Sequence, residues 1–368
     1  MKIALITIHW ANNYGSSLQT FASVHTLSAY GEVTTLDYRN TYTQKGMQWI
    51  RWGKKPRDIL RIGKDLFRLG SRYRVIKKFK AFSYQYFKLS KRLKTKNDFK
   101  QIEEKFDIFV SGSDQLWNPL IVSEHSLIDG RYFLDFIQDK PKLSYASSLG
   151  AYQYKSQEIP QIQKALQSYK ALSIREEDAS QYMQDLLQKP IYTLLDPTLM
   201  LNKATWLKTL DITNTSPKTP YILVYALIKD EMLKSLVHTI RHQLKLEVIS
   251  IDQDPFSNIS PNKHIKDASP KDFVSLFAHA SFVITNSFHG TCFSLNFNIP
   301  FLISTPPSSL NRIESLLKKL SLEERILKEK SQLSTLITED LDFTQANQKL
   351  EYLRQESKDF LHAYLGTK

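Results

Sequence analysis

Strand and helix patterns alternate along this chain, and they predict an α/β protein built on parallel sheets with helices on both faces. Three observations carry the prediction. Short apolar runs of buried-strand length recur, each ending in small polar residues. Helical spacing follows most of them. The length, 368 residues, is comfortable for two domains.

The most informative run is the one from Phe282 to Ile284. It ends in Thr285-Asn286-Ser287, and His289-Gly290-Thr291 open the apolar segment Cys292–Phe297. That order reads as a buried parallel strand delivering small polar groups and one imidazole to its carboxyl end, where open α/β sheets bind ligands.

The other elements follow in chain order. Lys2–Ile8 reads as a first strand, Tyr14–Tyr30 as a helix and Val33–Asp37 as a second strand. Phe106–Val110 and Lys142–Ala146 are short strands, Pro160–Leu172 is helical, and Leu172–Arg175 is a strand or turn. A second series has strands at Tyr192–Leu195, Tyr221–Leu227 and Leu246–Ile251. Its helices are Lys229–Lys245 and Pro270–His279, and Phe343–Tyr364 has helical spacing. We expect the domain boundary near 170–185, giving domains 1–175 and 176–368, with the C-terminal helix in the second. The turn-rich stretch Asn214–Pro220 is expected inside that second domain.

Composition is that of a globular protein, 42% hydrophobic and 24% charged. The single cysteine, Cys292, excludes an intramolecular disulfide framework and suits a reducing compartment. The opening apolar run is too short for the core of a signal peptide, and no run approaches membrane-spanning length. We therefore expect a cytoplasmic protein with room for peripheral contact at the inner face of the cell membrane.

The net charge of +13 is unevenly placed. Residues 51–105 carry 19 lysines and arginines against five acidic residues, while the remainder holds 31 against 32. Within this expected helical insertion, Ile59, Ile62, Leu66, Leu69, Tyr73 and Ile76 recur at three- and four-residue steps. Arg57, Arg61, Lys64, Arg68 and Arg72 fall on the other faces. Such a helix can be a solvated element packed through its stripe, or an adhesion surface for an anionic membrane or polyanion. No nucleic-acid-binding motif accompanies it.

Four loops at strand ends could carry chemistry. Asn13-Tyr14-Gly15-Ser16 would let backbone amides approach an anion at a helix amino terminus, or be simple capping. Ser111-Gly112-Ser113-Asp114 precedes Trp117, which could stack on a sugar ring or be buried. Arg175 offers a planar fork suited to phosphate or carboxylate, with an ion pair to Glu176 or Glu177 as the ordinary alternative. His289, with Ser287, Gly290 and Thr291 around it, is a candidate acid, base or anion ligand. The pair His238 and His242 stands without a metal motif, and no metal is expected.

Taken together these loops resemble the polysaccharide pyruvyl transferase family, from the first strand to about residue 305. The matching pieces include Asn13-Tyr14-Gly15-Ser16-Ser17-Leu18-Gln19, Gly112-Ser113-Asp114-Gln115-Leu116-Trp117-Asn118 and Ser144-Tyr145-Ala146-Ser147-Ser148-Leu149-Gly150. Ser173-Ile174-Arg175-Glu176, Asp196-Pro197-Thr198-Leu199 and Thr285-Asn286-Ser287-Phe288-His289-Gly290-Thr291 complete the series. One position departs from the pattern, because members often have an arginine where this chain has Ser287.

The resemblance implies two Rossmann-like domains facing a cleft, as in GT-B glycosyltransferases. It implies transfer of the pyruvyl group of phosphoenolpyruvate to two hydroxyls of a cell-surface glycan precursor, often lipid-linked. Phosphoenolpyruvate is then a substrate, and no cofactor is implied. His289 would bind or protonate the donor, and Arg175 would hold its phosphate or carboxylate. The alternatives are a nucleotide-sugar glycosyltransferase on the same fold and a binding protein that has lost the donor site.

Overall fold

In a computed structural model, the structure describes residues 1–52, 56–213, 219–304, 310–329, 333–338 and 341–366. They form two compact units. The first takes residues 1–47, 83–200 and 351–368, and the second takes 48–82 and 201–350.

In the first unit, β1 (Lys2–Ile6), β2 (Glu32–Thr35), β3 (Ile108–Ser111) and β4 (Lys142–Ser144) form a parallel sheet in the order β2-β1-β3-β4. The register sets Ile3 beside both Val33 and Ile108. β5 (Leu172–Ile174) and β6 (Ile191–Thr193) pair in parallel, and bridges from Leu143 to Ala171 and from Ser147 to Ile174 continue the layer. Side chains alternate along β1, so its two faces feed two cores. Ile3 and Leu5 pack with Val110, Leu143 and Leu361. Ala4 and Ile6 pack with Phe109, Leu116 and Trp117. Burial on both faces explains why these strands read as continuous apolar runs.

The second unit holds β7 (Tyr221–Tyr225), β8 (Glu247–Ile251), β9 (Lys263–Ile265), β10 (Phe282–Thr285) and β11 (Phe301–Ile303), all parallel, in the order β11-β10-β7-β8-β9. One face packs Ile222, Val224 and Ile284 against Leu233, Leu236 and Ile240 of the helix Glu231–Leu244. Near the other lies an aromatic cluster of Tyr225, Phe273, Phe277, Phe293 and Trp206. β9 and β11 are two strands that the sequence reading did not contain.

The division of the chain differs from expectation in three respects. The first unit runs to residue 200, not 175, because β6 pairs with β5 and Asp196 bonds to Arg175. The C-terminal helix Thr344–Leu365 belongs with the first unit from residue 351, where Phe360, Leu361 and Leu365 enter its core. The basic insertion is split as well. Residues 48–82 fold with the second unit, while the helix Lys96–Ile102 gives Phe99 and Ile102 to the first. Residues 214–218 of the turn-rich stretch lie outside the described residues.

Candidate functional site

At the carboxyl edge of the first sheet the chain assembles a buried polar network. The helix α1 (Tyr14–Leu27) starts on the exposed cap Asn13, whose side chain accepts from the Ser16 amide at 3.2 Å. Ser16 Oγ donates to Asp114 Oδ2 at 2.6 Å. Gln19 donates to Thr7 Oγ1 at 2.8 Å, and Thr7 donates to the Ser113 carbonyl at 3.0 Å. Tyr14, Gly15, Ser111, Gly112 and Ser113 are buried beneath this layer. At Gly112 an added Cβ would fall 2.9 Å from Leu5 Cδ1, so the loop needs glycine to lie against β1. Asp114 adopts φ 76°, a left-handed conformation that a short polar side chain tolerates.

At two positions the structure shows the alternative that the sequence had left open beside a ligand role. Trp117 is only 1% exposed. Its ring stacks on Phe133 at 5.3 Å, and its indole N–H faces Ser111 Oγ and the Tyr132 carbonyl, each at 3.2 Å. No face is open to a sugar. Arg175 is likewise internal: Nη1 donates to Asp196 Oδ2 at 2.5 Å, Nε to Glu176 Oε1 at 3.2 Å and Nη2 to Ser148 Oγ at 3.2 Å. Burial works against its charge, but Glu176 and Asp196 outweigh that and keep the guanidinium protonated. Asp196 also accepts from Thr198 Oγ1 at 2.6 Å and Ser113 Oγ at 3.2 Å. The fork expected to grip a donor phosphate instead ties three strand-end loops together.

Sequence reasoning passed over His9, which follows β1 much as His289 follows β10. Its Nε2 lies 3.2 Å from Asp37 Oδ1 and its Nδ1 3.3 Å from the Thr7 carbonyl. Arg39 pairs with Asp37 at 2.7 Å and covers the Trp10 ring at 3.5 Å. Burial pushes the Asp37 carboxyl upward, but His9 and Arg39 overcome it and bring its pKa down to about 2. The first unit also holds a pocket of about 640 Å³ lined by Tyr38, Asn40, Lys45, Glu124, Asp129 and Arg131, within the size range of small-ligand sites.

In the second unit, β10 runs into the helix Phe288–Asn296 through the cap Ser287, whose Oγ accepts from the Gly290 amide at 3.5 Å. Thr285 Oγ1 donates to the Tyr225 carbonyl at 2.6 Å and accepts from the Ser287 amide at 3.1 Å. Asn286 clamps the loop after β7, accepting from the Leu227 amide at 2.6 Å and donating to the Ile228 carbonyl at 2.6 Å. Thr291 Oγ1 donates back to the Ser287 carbonyl at 3.1 Å. His289 therefore sits in the first turn of a nine-residue helix, nearly buried, beside amide groups carrying the positive end of the helix dipole.

The Phe288 ring is edge-on to that of His289 at 5.4 Å, and the Arg312 guanidinium lies 5.7 Å from the Phe288 centroid. Arg312 is thus a partly buried cation near a helix start where this chain has Ser287. Only the packing of the following helix could have revealed it. His238 and His242 face each other at 3.2 Å on an exposed helix surface. Among the described residues no group of His, Cys, Asp or Glu side chains is placed to hold a metal ion. No described helix is long and apolar enough to cross a membrane.

Comparison with known proteins agrees with this architecture. The family described as "Polysaccharide pyruvyl transferase" matches residues 13–306. No curated protein matches. Among solved structures, the chain is similar to UDP-GlcNAc 2-epimerase from Neisseria meningitidis bound to UDP-GlcNAc. The TM-score is 0.55 at 10% identity, covering 97% of this chain and 94% of that one. The UDP-GlcNAc 2-epimerase from Methanocaldococcus jannaschii gives 0.52 at 11% identity, covering 97% and 99%. An alpha-glucosyltransferase in complex with UDP and DNA gives 0.51 at 7%, covering 98% and 95%. At such identities the likeness speaks for the fold alone, a GT-B-like pair of Rossmann-like units.

Proposed function

Because the chain belongs to the polysaccharide pyruvyl transferase family, we propose that it moves the pyruvyl group of phosphoenolpyruvate onto a sugar of a cell-surface polysaccharide precursor. The observation that carries this reading is His289 at the start of the helix Phe288–Asn296, directly after β10. A donor bearing a phosphate and a carboxylate calls for amide donors and fixed positive charge. The first-turn amides and Arg312 are suited to supply them. In this reading Arg312 supplies positive charge near a helix start where this chain has Ser287.

In the proposed reaction one sugar hydroxyl attacks C2 of the enolpyruvyl group while C3 gains a proton. A second hydroxyl then displaces the phosphate from C2 and closes the ketal. One hydroxyl proton ends on C3, and the other leaves with the phosphate. His289 is the residue suited to donate toward C3 or to steady the donor anion. The polar pocket beside Asp129 in the first unit supports a sugar-sized ligand.

The nucleotide ligands of the structural neighbours favour a second reading, a nucleotide-sugar glycosyltransferase. Thermal unfolding separates the two. Saturating phosphoenolpyruvate should raise the melting temperature by at least about 2 °C, UDP should not, and His289→Ala should lose the shift. Incubation with a glycan panel should then yield products carrying the ketal mass increment. A shift with UDP and none with phosphoenolpyruvate would sink the pyruvyl transfer reading.

A further inference from the structure

The segment 48–82 of the second unit contains a helix that is inside out. In α2 (Pro56–Phe67) the side facing the protein carries Asp65, fully buried, which accepts from Arg51 Nη2 at 2.8 Å and Arg68 Nη2 at 2.9 Å. Arg72 approaches the same carboxylate at 3.8 Å. Burial raises the Asp65 pKa, but the Arg51 hydrogen bonds lead a set of interactions that lower it to about 2.

The opposite side of α2 is apolar and open to solvent. Ile59 is 73% exposed, Leu60 80% and Phe67 67%, with Leu66 between them. At Gly63, on the same face, an added Cβ would meet nothing within 4 Å. The stripe continues into α3 (Leu69–Tyr86) through the exposed Leu69 and Tyr73, with Trp49 edge-on to Tyr73 at 5.2 Å. Phe256, 75% exposed in the loop after β8, rests on Phe67 at 5.4 Å, and Trp52 is 70% exposed. The sequence left open whether this stripe packs on its domain or adheres to a membrane. In the structure Ile59, Leu66, Leu69 and Tyr73 are exposed, while Ile76 is buried with Val75, Phe79 and Phe82.

Ion pairs anchor this exposed face to the rest of the second unit. Lys64 bonds Asp254, Arg74 bonds Asp267, and Lys78 pairs with Asp272 at 3.4 Å. Arg68 also donates to the Gln253 carbonyl at 2.7 Å. These contacts hold α2 and α3 over the loops that follow β8 and β9. Charge survives the pairing. Residues 48–82 contain twelve lysines and arginines and two acidic residues, and Asp254, Asp267 and Asp272 offset only three of that surplus.

We infer that this face docks the protein on an anionic lipid bilayer. A helix with an open apolar side, exposed tryptophans beside it and surplus basic charge around it has the chemistry of interfacial membrane binding. A second copy of the chain fits less well, since a two-fold contact would press two basic surfaces together. A neutral partner would leave the charge without a role. The inference is independent of which donor the enzyme uses.

Vesicle binding by the intact protein tests it. The protein should sediment with phosphatidylcholine vesicles containing about 30% phosphatidylglycerol, and not with pure phosphatidylcholine. Binding should fall as salt rises from about 0.05 to about 0.5 M. Trp49 and Trp52 are the two exposed tryptophans of the five, so fluorescence should shift to the blue on binding. The double variant Leu60→Glu, Phe67→Glu touches only exposed side chains. It should keep the wild-type circular dichroism and lose binding at least about tenfold. His289→Ala should bind vesicles normally, which separates this result from failure of the donor assignment. Equal binding to both vesicle types, binding to neither, or wild-type binding by the double variant would overturn the inference. So would a dimer in light scattering that the double variant turns into a monomer.

Discussion

Arg175 has the fork geometry that suits a phosphate, but its neighbours decide what it does. Glu176 adjoins it in the chain, and Asp196 arrives from beyond β6. Together they convert a candidate ligand residue into the centre of a buried ion-pair network. Removing one member of such a network leaves charge buried without compensation. Arg175→Ala should therefore lower stability by about 3–5 kcal/mol, read by urea denaturation. A loss below about 1 kcal/mol, coupled with loss of the phosphoenolpyruvate shift, would return Arg175 to a ligand-binding role. The pair with Glu176 was legible in the sequence because the residues adjoin. The bond to Asp196 was not, because it depends on where the chain places a residue 21 positions away.

Strand–loop–helix units carry the candidate chemistry, and the β10 unit shows how tightly such an element is made. Gly290 lies so close to the strand end that an added Cβ would fall 2.2 Å from Thr285 Oγ1. Thr285 cannot yield cheaply, because the same oxygen holds the Tyr225 carbonyl and the Ser287 amide. Gly290→Ala should cost about 1–3 kcal/mol and displace the first helical turn. Phosphoenolpyruvate affinity should fall with it, and thermal melts with and without the ligand measure both. This element was almost wholly readable beforehand, since strand, cap and helix are local patterns. Trp117 was not. Its sequence neighbourhood suits a sugar platform as well as a core, and packing against Phe133 and the Tyr132 carbonyl settles the matter.

At the scale of the molecule, the two units are woven from interleaved segments of one chain. The C-terminal helix gives Phe360, Leu361 and Leu365 to the first core, and Ser357 Oγ accepts from the Leu195 amide at 3.2 Å. Arg354 reaches the Leu199 carbonyl at 2.7 Å. Truncation after residue 350 should thus uncover the first unit while sparing the second. Hydrogen exchange should show lost protection in β1, β3 and β4 with β7 and β10 retained. Uniform loss across both units would contradict this division. The sequence by itself determined most of the strands, the helices that follow them and the α/β class, because apolar periodicity and capping act over a few residues, and its loop motifs carried the resemblance to the family. Only the tertiary structure decided where the units divide, which charges Arg175 meets and which side of α2 faces water. Those outcomes depend on contacts between residues distant in the chain, and local patterning carries no record of them.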